Sequence, residues 1–363
     1  MSKTINVNDG RGADYDIRIS NGFQELSELL KPFLDAERKA VIVSDGNVAP
    51  LYGETIRSII NRLGNTCEIF TFSAGEENKT LDTVKDLYEF LIVNKIERRD
   101  LLIALGGGVT GDLTGFAAAT YLRGIDFIQI PTSLLAQTDS SIGGKTGVDL
   151  NMYKNMVGAF HQPRLCYMNM DTLKTLDKRQ ILSGLGEVIK AALIKNMDFY
   201  EWLTENADHI TGLDPESLSY MIEQACLIKR DVVKKDPKEQ GERALLNFGH
   251  TLGHAIEKAA GFSLTHGECV VLGMITALFI SEKRGMISGD DRKEALELFK
   301  KCGFTMKISG IDKNKVIEFS KSDKKMESGI LKFILLDGIG NAVIVRDVTE
   351  DEMLLALDEV LEG

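Results

Sequence analysis

The sequence has little cysteine and no pattern in what it has. Its five cysteines (67, 166, 226, 269 and 302) are scattered, with no Cys-x-x-Cys. A disulfide framework or zinc finger is thereby excluded, and a reducing, cytoplasmic setting is expected. Proline is scarce too, with six residues, and no Pro/Ser linker, repeat or low-complexity tract stands out. Positive charge is in deficit: 43 Lys and Arg face 54 Asp and Glu, a net charge of −11. That balance argues against a general nucleic-acid binder. An anionic small molecule would need a local cluster of Lys and Arg. MSKTINVNDG, at the start, has no basic stretch ahead of an apolar core, so no secretory signal is expected. The apolar run VVLGMITALFI covers only 270–280. That is short of the ~20 residues a membrane span needs, and it reads as a buried helix.

What is present is an ordinary globular composition, 44% hydrophobic and 27% charged over 363 residues, enough for about two domains with buried cores. The first half alternates. Residues 14–20, 40–46, 67–72, 101–105 and 126–131 read as strands, and 22–33, 51–63, 80–96 and 113–122 as helices. Such alternation predicts βαβ units and a largely parallel sheet. Beyond about residue 175 helices dominate: 179–196, 198–210, 215–236, 244–260, 268–285 and 291–303. A late strand pair with a Gly turn (331–348) and a terminal helix follow. The expected architecture is an α/β domain with a Rossmann-like sheet over 1–175 and a mostly α-helical domain over 176–363.

LLIALGGGVTGDLTGFAAA (101–119) reads as strand, glycine-rich turn and helix. Gly106, Gly108 and Gly111 match Gly-x-Gly-x-x-Gly, a pattern in which backbone approaches a phosphate at a helix N-terminus. Four glycines within 106–111 would equally serve a tight turn. A strand ending at Asp45 adds an acidic side chain suited to a ribose diol, although Asp45 is also a good turn former.

Three of the five histidines fall close together, at 250, 254 and 266. If 244–260 is one helix, Arg243, Asn247, His250 and His254 form one stripe, opposite Leu245, Phe248, Leu252 and Ile256. A polar stripe without Lys or Glu suggests a lined cavity. His-x-x-x-His is a metal-ligand spacing, His266 lies at a loop-to-helix junction, and Glu187 is a candidate carboxylate ligand. Glu187 and Lys190 sit three apart on an apolar helix, so the pair should face a cavity. Spacing alone leaves open which two histidines bind metal. Lys145, Lys154, Lys190, Lys229, Arg243 and Lys324 could gather round an anion. Lys145 stands out because it follows two glycines.

Taken together, these segments resemble the 3-dehydroquinate synthases. The matching stretches are GGGVTGDLTGFAAATYLRG (106–124), QIPTSLLAQTDSSIGGKTGVD (129–149), KNMVGAF (154–160), GLGEVIK (184–190), NFGHTLGHAIE (247–257), LTHGE (264–268) and, within 323–340, DKK and LKFILLDGIG. Their order and spread over most of the chain make the match specific. Glycerol dehydrogenases, iron-dependent alcohol dehydrogenases and other sugar phosphate cyclases share the architecture but not the full set.

The resemblance implies a site, residue by residue. Glu187, His250 and His266 match the metal ligands, normally for zinc, with cobalt a substitute, so that His254 becomes a catalytic residue. Asp45, Asn47, Glu76, Lys79, Gly107, Gly108, Val109, Asp112, Thr132, Ser133, Lys145, Lys154, Thr172, Leu173, Lys174 and Thr175 match positions around NAD. Asp139, Lys145, Asn155, Lys190, Lys229, Arg243, Asn247 and His254 match the substrate site, with Lys324 or Lys325 closing over it. Arg123 matches an arginine reaching a partner subunit's phosphate site, which implies a homodimer. His161, Gly186, Ala191–Ala192 and Cys269 stand where the pattern usually has Tyr, Ala, Tyr-Gly and Ala.

The implied reaction converts 3-deoxy-D-arabino-heptulosonate 7-phosphate, a phosphorylated sugar acid, to 3-dehydroquinate and phosphate in the shikimate pathway. It proceeds by transient oxidation, phosphate elimination, reduction and aldol closure. A metal-dependent polyol dehydrogenase would not need the lysine set. Lys145 and Asn155 favour the dehydroquinate branch over inosose or valiolone synthases. A non-catalytic binding protein would have no use for the complete set.

Overall fold

The computed structural model describes every residue except 1, 9–13, 36, 152, 240, 262, 322–325, 328–329 and 363, with only backbone at 326, 327 and 330. Lys324 and Lys325 therefore lie outside the described residues. The chain divides into two compact units, residues 1–176 with 229–238, and residues 177–228 with 239–363.

Among its described residues the first unit has nine strands: β1 Lys3–Asn8, β2 Asp14–Ser20, β3 Ala40–Asp45, β4 Cys67–Phe72, β5 Leu101–Gly106, β6 Asp126–Pro131, β7 Lys145–Leu150, β8 Tyr153–Phe160 and β9 Leu165–Asn169. Seven of them form one sheet in the order β1-β2-β9-β6-β5-β3-β4. All neighbours run parallel except β1 and β2. Helices α1 Leu26–Leu30, α2 Glu54–Arg62, α3 Leu81–Val93 and α4 Gly108–Thr120 cover it. The strand period of two sorts its side chains into two cores. Ile42 and Ile103 pack with Leu26, Ile56 and Ile60 on one face. Val41, Val43 and Leu102 pack with Val84, Leu87 and Leu113 on the other.

The predicted helix over 22–33 shrinks to α1 and a 3₁₀ turn at Lys31–Phe33. Pro32 has no N–H for an α-helical bond there. Strands β1, β7, β8 and β9 were not expected. β7 and β8 form an antiparallel hairpin outside the large sheet.

The second unit holds α5 Lys178–Lys195, α6 Met197–Thr211, most of α7 Pro215–Lys235, α8 His250–Ala259, α9 His266–Lys283, α10 Gly289–Cys302, α11 Lys313–Lys321 and α12 Glu350–Leu357. The late strand pair is present as an antiparallel hairpin, Phe333–Leu336 with Ala342–Val345. The predicted helix over 244–260 is a correction: a 3₁₀ turn at Glu242–Asn247 precedes α8, and Gly249 between them has φ +77°. That left-handed backbone suits glycine and breaks the helix. Arg243 and Asn247 therefore do not continue the His250–His254 face. No helix among the described residues is long and apolar enough to cross a membrane.

The C-terminal helix is tied down by charge. Arg284 Nε and Nη2 donate to Glu352 Oε1 and Oε2 at 2.7 and 2.8 Å, and Nη1 donates to Asp347 at 2.7 Å. This fork holds the Glu352 carboxyl at about 2, well below its usual 4.5. A lowered pKa stabilises the fold above the ordinary carboxylate range and ceases to do so as pH falls through the folded value. Glu352→Gln should therefore cost on the order of 1–2 kcal/mol at pH 7, allowing for partial exposure. Urea melts of the variant and the parent should converge as pH drops from 4.5 toward 2. A gap that stays constant across that range would refute the assignment.

Candidate active site

In the first unit the site is built on strand ends. β3 pairs with both β4 and β5, while β5 continues to β6. The chain thus leaves β3 and β5 in opposite directions, and ligands of parallel sheets bind beyond the carboxyl ends at such a point. Asp45 ends β3 and Gly106 ends β5. Gly107 precedes α4, and neither a capping side chain nor an acidic residue occupies that helix's first turn. Its amide groups and positive dipole end suit a phosphate. A Cβ on Gly107 would lie 3.4 Å from Ser133 Oγ, and one on Gly108 3.1 Å from Ser140 Oγ, so side chains there would narrow the approach.

Asp45 caps the turn that follows β3. Oδ1 accepts from the Asn47 and Val48 amides at 2.9 and 3.1 Å, and Oδ2 from Thr110 Oγ1 at 3.2 Å. The Thr132 amide donates to Gly106 O at 2.9 Å. Thr172, Leu173, Lys174 and Thr175 form the 3₁₀ turn after β9, where Thr175 meets Tyr52 OH at 2.5 Å and Lys174 pairs with Asp171. Val109 is half-buried in the first turn of α4.

A second cluster joins residues that the resemblance split between cofactor and substrate. Buried Lys79 Nζ donates to Asp112 Oδ2 at 2.7 Å and Asn155 Oδ1 at 2.6 Å, with Glu76 at 3.8 Å. Burial disfavours the Lys79 charge, but Asp112 and Glu76 outweigh it and raise its pKa. Asn155 reaches this lysine from a left-handed backbone, φ +52°, beside half-buried Lys154. Lys145 is exposed at the start of β7, after Gly143 and Gly144 with φ of +95° and +65°. Lys229 pairs with Asp139. Arg123 is exposed on a turn with φ +68°.

In the second unit three helices converge through glycine. A Cβ on Gly267 would fall 2.0 Å from Ser183 O of α5, and one on Gly273 1.8 Å from Gly249 O. Only backbones without side chains pass this closely. α5 thereby brings Glu187, α8 brings His250 and His254, and α9 brings His266, its first residue. A capping box between Thr265 and Glu268 sets where α9 starts, and Arg179 holds Glu268 at 2.9 Å.

The donor set suits a divalent cation. Glu187, 3% exposed, binds Lys190 through Oε2 and directs Oε1 toward His250 Nε2 at 3.5 Å and His266 Nε2 at 3.3 Å. Nitrogens of His250, His254 and His266 all lie within 4.8 Å of one another. His250 Nδ1 lies 3.1 Å from Phe248 O. A carbonyl only accepts, so Nδ1 carries the proton and Nε2 keeps its lone pair. Burial opposes charge on His266, but the carboxylates of Glu187 and Glu257 push its pKa up to about 9.

Arg243 is fully buried, and Asn247 Nδ2 donates to Glu239 Oε1 at 3.0 Å. Glu239 and Glu257 were not anticipated. The signal for Glu257 was present: it lies three residues after His254 and seven after His250, on the same helix face.

Two family models cover most of the chain: 3-dehydroquinate synthase N-terminal matches residues 69–183, and 3-dehydroquinate synthase C-terminal matches 184–326. The 3-dehydroquinate synthase of Symbiobacterium thermophilum is 41% identical over 348 residues, covering 95% of this chain and 97% of its own. The chain belongs to the 3-dehydroquinate synthase family. It has the fold expected from the sequence and is an enzyme of the carbon–oxygen lyase kind. Among solved structures, a 2-deoxy-scyllo-inosose synthase complexed with carbaglucose-6-phosphate, NAD+ and Co2+ superposes with TM-score 0.90 at 27% identity, covering 99% of this chain and 100% of its own. The 2-epi-5-epi-valiolone synthase of Streptomyces hygroscopicus, with NAD+ and Zn2+ bound, gives 0.87 at 27%, covering 96% of each.

The positions where this chain departs from the usual pattern are packing positions. His161 Nε2 lies 3.0 Å from Ile125 O while its ring stacks on Phe127 at 5.4 Å. Ala191, Ala192 and Cys269 are buried. A Cβ on Gly186 would sit 3.0 Å from Gly267 O, in the α5–α9 contact.

Proposed function

We propose that this chain converts 3-deoxy-D-arabino-heptulosonate 7-phosphate to 3-dehydroquinate and phosphate, with NAD and a divalent metal, zinc or cobalt, as cofactors. The observation that carries the reading is the buried Glu187 carboxylate, engaged by Lys190 on one oxygen and facing His250 and His266 with the other. Glu187, His250 and His266 would hold the metal. The glycine backbone at 106–108, Asp45 and the Thr172–Thr175 turn would hold NAD. When bound, NAD supplies a reversible hydride acceptor and the metal a Lewis acid for substrate oxygens.

The chain's own groups do the rest. Lys145, Lys190, Lys229 and Arg243 bind the carboxylate and phosphate by charge-assisted hydrogen bonds. Asp139 and Asn155 orient two of the lysines they contact, Lys229 and Lys79. Asn247 and His254 orient hydroxyls, and His254 exchanges protons through its imidazole. No protein base is assigned to phosphate elimination, because the substrate's own phosphate can serve. Arg123 is proposed to reach the phosphate site of a second copy in a homodimer.

The test is purified protein with substrate deuterated at the carbon that is transiently oxidised. Phosphate and dehydroquinate should appear together, with the label retained and no NADH accumulating. One NADH per product, or label lost to the NAD pool, would show an ordinary dehydrogenase instead.

A further inference from the structure

The His266 ring is held at both nitrogens. Nε2 faces Glu187 Oε1 at 3.3 Å, and Nδ1 faces Glu257 Oε2 at 3.7 Å, within ion-pair range. Glu257 is 5% exposed, an expensive place for a carboxylate without a task. The fold supplies it from the helix that carries His250 and His254, and from their face of that helix. His250 is anchored in the same sense, with Nδ1 on the Phe248 carbonyl and Nε2 toward Glu187. Both imidazoles thus present Nε2 to one carboxylate oxygen while an acceptor holds Nδ1.

We infer that Glu257 is a positioning residue for the metal site: its carboxylate faces the Nδ1–H of His266 as an acceptor, fixes the ring's orientation and tautomer, and makes Nε2 the ligating atom. A carboxylate behind a ligating imidazole also increases its basicity, and such partners typically contribute 10- to 100-fold in metal affinity. This inference rests on the metal reading of Glu187, His250 and His266.

The experiment measures Zn2+ affinity of purified, metal-stripped protein by competition with a chromogenic chelator, with no substrate and no NAD. The parent chain should bind one Zn2+. Glu257→Gln, which keeps the shape and one acceptor oxygen, should weaken binding about 10-fold, and Glu257→Ala about 100-fold. His250→Ala, which removes a ligand, should bind far more weakly than either. Circular dichroism confirms that each variant is folded. If Glu257→Ala does not fold, the near-isosteric Gln variant carries the test alone. Unchanged Zn2+ affinity in folded Glu257→Gln and Glu257→Ala overturns the inference and leaves Glu257 as a packing residue. Loss in Glu257→Ala as complete as in His250→Ala also overturns it, because Glu257 would then be a ligand. A parent chain that binds no Zn2+ refutes the metal reading itself, a result distinguishable from either.

Discussion

His250→Ala is expected to leave the purified protein without metal and to lower turnover by at least ~10³-fold, whereas His254→Ala should keep its metal and still lose rate. The contrast follows from which imidazoles the Glu187 carboxylate meets. Oε1 lies 3.5 Å from His250 Nε2 and 3.3 Å from His266 Nε2, the two imidazoles that the family pattern also assigns as ligands. Lewis-acid stabilisation of developing charge is worth several kcal/mol, on the order of 10³-fold in rate. Loss of a general acid–base group costs roughly 10²–10⁴-fold. Rate alone therefore does not separate the two variants, but metal content does. Elemental analysis after gel filtration decides it. Stoichiometric zinc in His250→Ala, or its loss from His254→Ala, would reverse the assignment.

Gly273→Ala should be among the most damaging methyl additions at the described glycines. The added carbon would lie 1.8 Å from Gly249 O and 2.7 Å from Gly253 N, both backbone atoms. No rotamer relieves such a contact, so α8 and α9 must separate. A cost on the order of 4–5 kcal/mol places it in the exceptional tail of point substitutions. It should lower Tm by about 5 °C or more and release zinc, because the same crossing sets His250 against His266. Gly186→Ala is the control: its methyl meets Gly267 O at 3.0 Å and Val271 Cγ2 at 3.2 Å. Small shifts accommodate that, so Gly186→Ala should melt within a few degrees of the parent. Parent-like melting in Gly273→Ala would show that the crossing is looser than drawn.

Much of this was legible in the chain itself, for physical reasons that differ by element. β3, β5 and β6 announced themselves as short apolar runs because the sheet is buried on both faces. Glu187 and Lys190 were legible because a charged pair inside an apolar helix must have a partner. The hairpin β7–β8 escaped notice because β8 leaves the large apolar side chains Tyr153, Met156 and Phe160 exposed, so its sequence does not alternate as a half-buried strand would. The break at Gly249 was hidden because helical spacing continues across it, although the backbone there turns left-handed. Glu257 was in view within HTLGHAIE without a role attached to it. Its pairing with His266 depends on a crossing that no local pattern encodes.

Because His266 is the first residue of α9, the protein has placed a site residue where helices ordinarily fray. The Thr265–Glu268 capping box and the Arg179 contact to Glu268 thus act as an indexing pin. If α9 began one residue earlier or later, its opening side chain would point about 100° away, by the 3.6-residue turn. Angular precision at the site is in this sense inherited from the first turn of a helix, and the cheapest way to blur it would be to unwind that turn.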